Sequence, residues 1–245
     1  MIARQTKRRG DVEWHAYSCP DHGVADLPGA TTLIGRKAVP TLNNWFKAQG
    51  ARAALRNLPA LSQMVETSGE DAVVRFLAAA ADKLRDDAGA VGTEVHAALD
   101  AVVTRRPFEM TDAIAGHVEG ARRWLNDAKP KVLASEFMVV SESQRYGATG
   151  DLVFTMDGEL WLCDWKTSKG VYETTALQLA AIARADHGED GQPVPAATRF
   201  GVLHVRADGT ELVPFEVTDH EWRAFLACRD LYEWDRQRSR KVRAA

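Results

Sequence analysis

The chain has 245 residues, 45% hydrophobic and 27% charged, with a formal net charge of −3. That is enough chain to bury a large core, and the near-neutral balance excludes a protein drawn to nucleic acid by its global charge. Three widely spaced cysteines without a CxxC pair exclude a disulfide framework and a four-cysteine zinc or iron–sulfur site, and neither a signal segment nor a membrane-spanning run is present, so the expected compartment is the cytoplasm.

In chain order, residues 1–40 read as turn-rich and irregular, with one short strand from Gly10 to Tyr17, because Asp21, Gly23, Pro28 and Gly29 punctuate the next dozen residues. The start is basic (Arg4, Lys7, Arg8, Arg9), as is the end (Arg236, Arg238, Arg240, Lys241, Arg243); each reads as a solvated terminus or as a contact to a phosphate backbone. Cys19-Pro20-Asp21-His22 offers two soft ligands without visible partners. Thr41 can cap a helix over 42–55, alanine-rich helix covers 60–87, and Ala88-Gly89-Ala90 leads into a further helix over 91–103. Thr111 or Asp112 caps the next one, to about 127.

The texture changes after Pro130. Residues 132–140 read as a strand, 151–155 and 159–167 as a hairpin, and 173–186 as a helix stopped by Gly188 and Gly191. A second strand pair, 200–205 and 211–217, turns around Asp208-Gly209, and Thr218 or Asp219 opens the last helix. Helices followed by strands predict an α/β fold: a mixed central β-sheet flanked by helices, with an N-terminal helical elaboration, in one domain. Within it, 1–130 is the mainly helical part and 131–235 carries the sheet.

The hairpin is the most informative stretch. With Asp157-Gly158 as a two-residue turn, Met156 faces Glu159, and counting outward sets Asp151 opposite Asp164. Lys166, two residues on, shares that face. Two carboxylates and an amine converge among apolar neighbours, and like charges this close call for a compensating cation or proton. Carboxylate oxygens suit Mg²⁺ or Mn²⁺. A surface hairpin of alternating charge is the competing account.

Other residues join this set on position alone. Glu136, on the preceding strand, either points into the site or is an ordinary strand carboxylate. His96, on the helix over 91–103, is either a satisfied core histidine or a ligand. Gln178 is either a boundary residue or holds a phosphate, a base edge or the carboxylate. Tyr172 can stack on a base, and Lys169 and Arg145 are further cationic candidates for DNA contact. The chain has no GxxxxGK[ST], GxSxG or HExxH motif.

The ordered set Gly92-x-x-x-His96, Glu136, Gly150-Asp151, Asp164-Trp165-Lys166-Thr167 and Gln178-Leu179 resembles the PD-(D/E)XK nuclease superfamily, and most of all its RecB-like and Cas4-like phage and bacterial exonucleases. Pro40-Thr41-Leu42-x-x-Trp45 is similar to the start of those proteins. The resemblance implies a restriction-endonuclease-like fold, with residues 41–127 as the wall of a DNA channel. It makes His96, Asp151, Asp164 and the Trp165 carbonyl ligands of Mg²⁺ or Mn²⁺, Lys166 the catalytic lysine, and Gln178 the glutamine of a motif that usually reads Gln-x-x-x-Tyr. Here the last position is Ile182. Cas4 proteins usually carry an iron–sulfur cluster on four cysteines, and Cys19, Cys163 and Cys228 cannot supply it, so the resemblance is to the cluster-free branch. The implied activity is metal-dependent hydrolysis of DNA from its ends, with DNA as substrate and a recombinase, single-strand-binding protein or helicase as possible partner. A structure-specific endonuclease and a non-catalytic DNA-binding subunit are the alternatives.

Overall fold

The computed structural model describes residues 1–9, 12–37, 40–189 and 193–243; Gly10 and Gly191, where the sequence places a strand start and a helix stop, lie outside them. The chain forms two compact units, Met1–Lys37 with Val95–Ala245, and Ala38–Glu94.

The first unit holds a six-stranded mixed sheet in the order β7-β4-β5-β6-β8-β9. Its strands are β4 (Lys131–Ser141), β5 (Tyr146–Met156), β6 (Glu159–Lys166), β7 (His187–Gly188), β8 (Arg199–Arg206) and β9 (Gly209–Phe215). All pairs are antiparallel except β6 with β8, which α6 (Thr174–Ala183) connects. The pattern that makes β6 central is a continuous apolar run, which suits a strand covered on both faces.

Helix α6 is buried almost all round, and α7 (Asp219–Arg243) and α1 (Ala30–Ile34) pack with it. Their core joins Leu33, Val153, Leu162, Leu179, Ile182 and Phe225. Ile182, where the motif usually has tyrosine, is buried in this core. Thr218 and Glu221 close the start of α7 reciprocally: the Thr218 N–H donates to Glu221 Oε2 (2.8 Å) and the His220 N–H to Thr218 Oγ1 (3.1 Å). Helix α5 (Asp112–Ala128) packs on β8 and β9, where Gly116 and Gly120 let its backbone approach Ala207 and Gly209.

The sequence predicts an irregular N-terminus, and the structure corrects it. Strands β1 (Ala3–Arg9), β2 (Val12–Cys19) and β3 (Val24–Pro28) form a three-stranded antiparallel sheet. Ile2, Tyr17, Cys19, Val24 and Leu27 form a small core with Val140 of β4. Polar β1 alternates too weakly to be read as a strand; its partner strand and this shared core order it. The β8–β9 turn is likewise Ala207-Asp208 and not Asp208-Gly209, since Arg206 pairs with Gly209. Gly209 opens the next strand, and its backbone is what Gly120 of α5 approaches.

The second unit consists of α2 (Pro40–Arg56), α3 (Leu58–Ser68) and the first part of α4 (Glu70–Val103). Trp45 and Phe46 meet edge to face, and the Arg85 guanidinium lies over Phe46. The predicted break at Ala88-Gly89-Ala90 does not occur, for α4 runs through it. Glycine there costs only about 1 kcal/mol relative to alanine, too little to stop a long helix. No described helix is long and apolar enough to cross a membrane.

Candidate metal centre

The β5–β6 hairpin has the register counted from the sequence. Asp157 (φ 52°) and Gly158 (φ 79°) both take the left-handed conformation that a tight two-residue turn requires. Met156 pairs with Glu159 and the ladder continues to Leu152 with Cys163, so Asp151 and Asp164 come next, across from each other. Both are buried, at 7% and 2% exposure. Gly150 precedes Asp151 because the Phe137 ring lies over it: a Cβ there would fall 2.3 Å from the ring.

Each carboxylate is held on one side. The Trp165 N–H donates to Asp151 Oδ2 (2.9 Å), and Gln178 Nε2 donates to Asp164 Oδ1 (2.8 Å) from α6. Lys166 Nζ lies 2.5 Å from Asp164 Oδ2 and forms a buried ion pair with it. The His96 ring reaches in from the end of α4, with Nδ1 3.4 Å from Asp151 Oδ2. On the same helix end, Val95, Ala98 and Leu99 are buried, and Asp100 accepts from Ser135 Oγ (2.7 Å) and pairs with Arg106. That Asp100–Ser135 bond ties this last part of α4 to β4.

Glu136 falls between the pairs Ser135–Leu152 and Phe137–Gly150, across from Asp151. Its φ of 50° is unusual for a non-glycine residue inside a strand, and such strain costs on the order of 1–3 kcal/mol. A bulge at Leu133 shifts the β4 register just before it. Two groups of described residues bring three metal-ligating side chains within 4.8 Å of one another: His96 with Glu136 and Asp151, and His22 with Glu142 and His187. The structure therefore carries two candidate metal-chelating clusters on an α/β fold. The three cysteines are free and buried and belong to neither.

Charge in the first cluster is out of balance. Desolvation, then the Asp164 charge, pushes the Asp151 carboxyl well above the usual carboxylate range. Desolvation also raises Glu136, with Arg4 pulling the other way. It lowers His96, favouring the neutral ring that can ligate a metal. For Lys166 desolvation opposes the charge, but Asp164 and Asp151 outweigh it and hold the amine above its ordinary value. The residues fit a hard divalent cation: the carboxylates of Glu136 and Asp151 converge with the His96 imidazole, and the buried Asp164 carboxylate stands across the hairpin from Asp151.

A group with a raised folded-state pKa binds more protons folded than unfolded. Its contribution to stability is present below the unfolded value, near pH 4, and is lost as pH rises through the folded value. Metal-free protein should therefore gain stability from Asp151→Asn at neutral pH. The amide oxygen can still accept from Trp165, and the expected rise in Tm at about pH 7.5 in EDTA is roughly 3–6 °C, or about 1–2 kcal/mol. Near pH 4 the difference should vanish. A lower Tm at neutral pH would mean that the carboxylate charge is already compensated.

The remaining candidates lie at varied positions. Lys169 and Tyr172 are exposed in the loop between β6 and α6, which leaves directly from the site. Arg145 is exposed in the β4–β5 turn, with φ of 58°. Along an extended strand, residues 145 and 151 stand roughly 20 Å apart, so Arg145 is remote from the carboxylates. Arg4 is a basic residue whose place the sequence left open. Its Nη1 donates to Thr149 Oγ1 (3.2 Å), which also contacts the Tyr17 hydroxyl (3.0 Å), and its charge acts on Glu136. Nothing local in Ala-Arg-Gln-Thr points there, because the β1–β2–β3 sheet carries it.

No family model matches the chain, and no curated protein matches it. Among solved structures, SSO0001 matches with a TM-score of 0.31 and 12% identity over 46% of this chain. The chain spans 54% of that structure's length, and so slight a likeness carries no argument.

Proposed function

We propose that the chain is a Mg²⁺- or Mn²⁺-dependent deoxyribonuclease of the PD-(D/E)XK superfamily, of the RecB-like and Cas4-like kind without an iron–sulfur cluster. It hydrolyses phosphodiester bonds from DNA ends, in recombination, repair or phage DNA metabolism in a bacterial cell. The observation that carries this reading is the juxtaposition of Asp151 and Asp164 across one hairpin, with Lys166 Nζ 2.5 Å from Asp164 and His96 beside Asp151.

Asp151, Asp164, His96 and the Trp165 carbonyl would hold the cation, with Glu136 as a further carboxylate. Bound there, it would polarise the scissile phosphate and lower the pKa of a neighbouring water. The chain's own groups do the rest. The Trp165 N–H and the Gln178 amide each tie up one carboxylate oxygen, which orients the other. Protonated Lys166 donates to the attacking water or to a non-bridging phosphate oxygen, where negative charge develops. The water oxygen forms the new bond to phosphorus, the bond to the 3′ oxygen breaks, and the product carries a 5′-phosphate. Arg4 adds a cation on the Glu136 side, and Lys169 and Tyr172 offer a charge and a stacking ring to the strand.

The test is degradation of end-labelled linear DNA, single- and double-stranded, beside covalently closed circles, in Mg²⁺, Mn²⁺ or EDTA. Loss of linear DNA alone, in metal alone, is expected. Cleavage of circles would make the chain an endonuclease on the same fold. Turnover of small phosphoesters with DNA left intact would overturn the reading.

A further inference from the structure

The second ligand cluster lies elsewhere in the first unit and takes no part in the chemistry above. His22 ends the short 3₁₀ turn Pro20–His22, which Gly23 closes in the left-handed conformation (φ 64°). His187 opens β7 at the edge of the six-stranded sheet, paired with Val140 of β4. Glu142 follows the end of β4. The two imidazoles stack with centroids 3.6 Å apart and planes 7° apart, and His187 Nε2 stands 3.6 Å from Glu142 Oε2.

We infer that His22, Glu142 and His187 form a binding site for one divalent transition-metal ion of the zinc class. The donor set, two imidazole nitrogens and one carboxylate oxygen, suits zinc and leaves a fourth position open to water. Ligands about 2.1 Å from one tetrahedral ion stand roughly 3.4 Å from each other. The 3.6 Å between His187 and Glu142, and the 4.8 Å limit on all three donors, are reached from that geometry by side-chain rotation, with the rings swinging out of their stack.

The backbone around the site is fixed in advance. The carboxylate of Asp186 accepts from the Ser143 N–H (2.8 Å) and from the hydroxyls of Ser141 and Ser143 (3.1 Å each), and the Asp186 N–H donates to the Val140 carbonyl (3.1 Å). Those bonds lock together the turn carrying Glu142 and the strand carrying His187. The third ligand comes from the N-terminal three-stranded sheet. A bound ion would thus clamp that sheet to the edge of the main one, and Cys19-Pro20-Asp21-His22 supplies its ligand through His22, while Cys19 is buried in a separate apolar cluster.

The test is Zn²⁺ titration of the full chain, stripped with EDTA and exchanged into chelator-free buffer, by calorimetry and by competition with a chromogenic chelator. One Zn²⁺ should bind with an affinity that falls at least about tenfold in His22→Ala, in His187→Ala and in Glu142→Gln, and that persists in Asp164→Asn. Glu142 is exposed, so its substitution leaves folding intact and keeps the test decisive if a histidine variant folds poorly. X-ray absorption at the zinc edge of the Asp164→Asn chain should report two imidazoles and oxygen. Affinity unchanged in all three variants, or lost in Asp164→Asn alone, would overturn the site. Neither result depends on the chain cutting DNA.

Discussion

Asp164→Asn should lose metal-dependent DNA cleavage by at least about 10³-fold, roughly 4 kcal/mol in the barrier, while folding and DNA binding persist. The amide keeps an acceptor for the Gln178 Nε2 bond, so α6 stays joined to β6. Lys166 keeps a counter-charge in Asp151, which also acts on it. What disappears is the buried carboxylate oxygen paired with Lys166, and with it the negative charge offered to the cation. Lys166→Ala should cost about 10²–10³-fold, the usual effect of removing one charge-stabilising donor from a water-poor site. Single-turnover cleavage of end-labelled DNA measures both, with binding followed in EDTA. Near-normal Mg²⁺-dependent cleavage by Asp164→Asn would show that the reacting centre lies elsewhere.

Gly150→Ala should lower Tm by about 3–10 °C. An added Cβ would fall 2.3 and 2.5 Å from two atoms of the Phe137 ring, closer than real side chains come. Phe137 packs against the main core, so the ring cannot simply leave. Overpacking of this kind costs about 1–3 kcal/mol, which for a chain of this size is a few degrees per kcal/mol. Phe137→Leu should recover part of the loss, so that the double variant is more stable than the sum of the two single changes implies. Thermal unfolding of the four proteins is the measurement. An unchanged Tm for Gly150→Ala would show that β4 and β5 are not held as close as described. Asp151 is the next residue, so the same substitution should also weaken metal affinity at the first cluster.

The hairpin was legible because everything needed to count it is local. Asp157-Gly158 can adopt two successive left-handed conformations at low cost, and period-two alternation carries the register outward to Asp151 and Asp164. The second turn was misplaced by one residue for the converse reason. Asp208-Gly209 looks like the same signal, but Gly209 is already in the ladder, paired with Arg206, which leaves Ala207-Asp208 as the turn. Without the resemblance, His96 could be placed on a helix but not assigned, since a histidine among apolar neighbours looks the same whether it faces a core or a carboxylate.

The order of elements after Pro130, the mixed sheet, the hairpin register and the charges on its inner face were all written into the amino-acid order. The hairpin register and its charges depend on spacings within about twenty residues, over which turn chemistry and alternation leave few choices. The three-stranded N-terminal sheet, the left-handed Glu136 across from Asp151, and the placing of Arg4 beside Thr149 emerged only in the folded chain. Folding alone also brought His22 against Glu142 and His187. The contacts of Arg4 with Thr149, of His22 with Glu142 and His187, and of the N-terminal sheet with Val140 join segments far apart in the chain, through strand pairing and shared burial. That stabilisation appears only when the partners meet, so no local pattern in either segment records it.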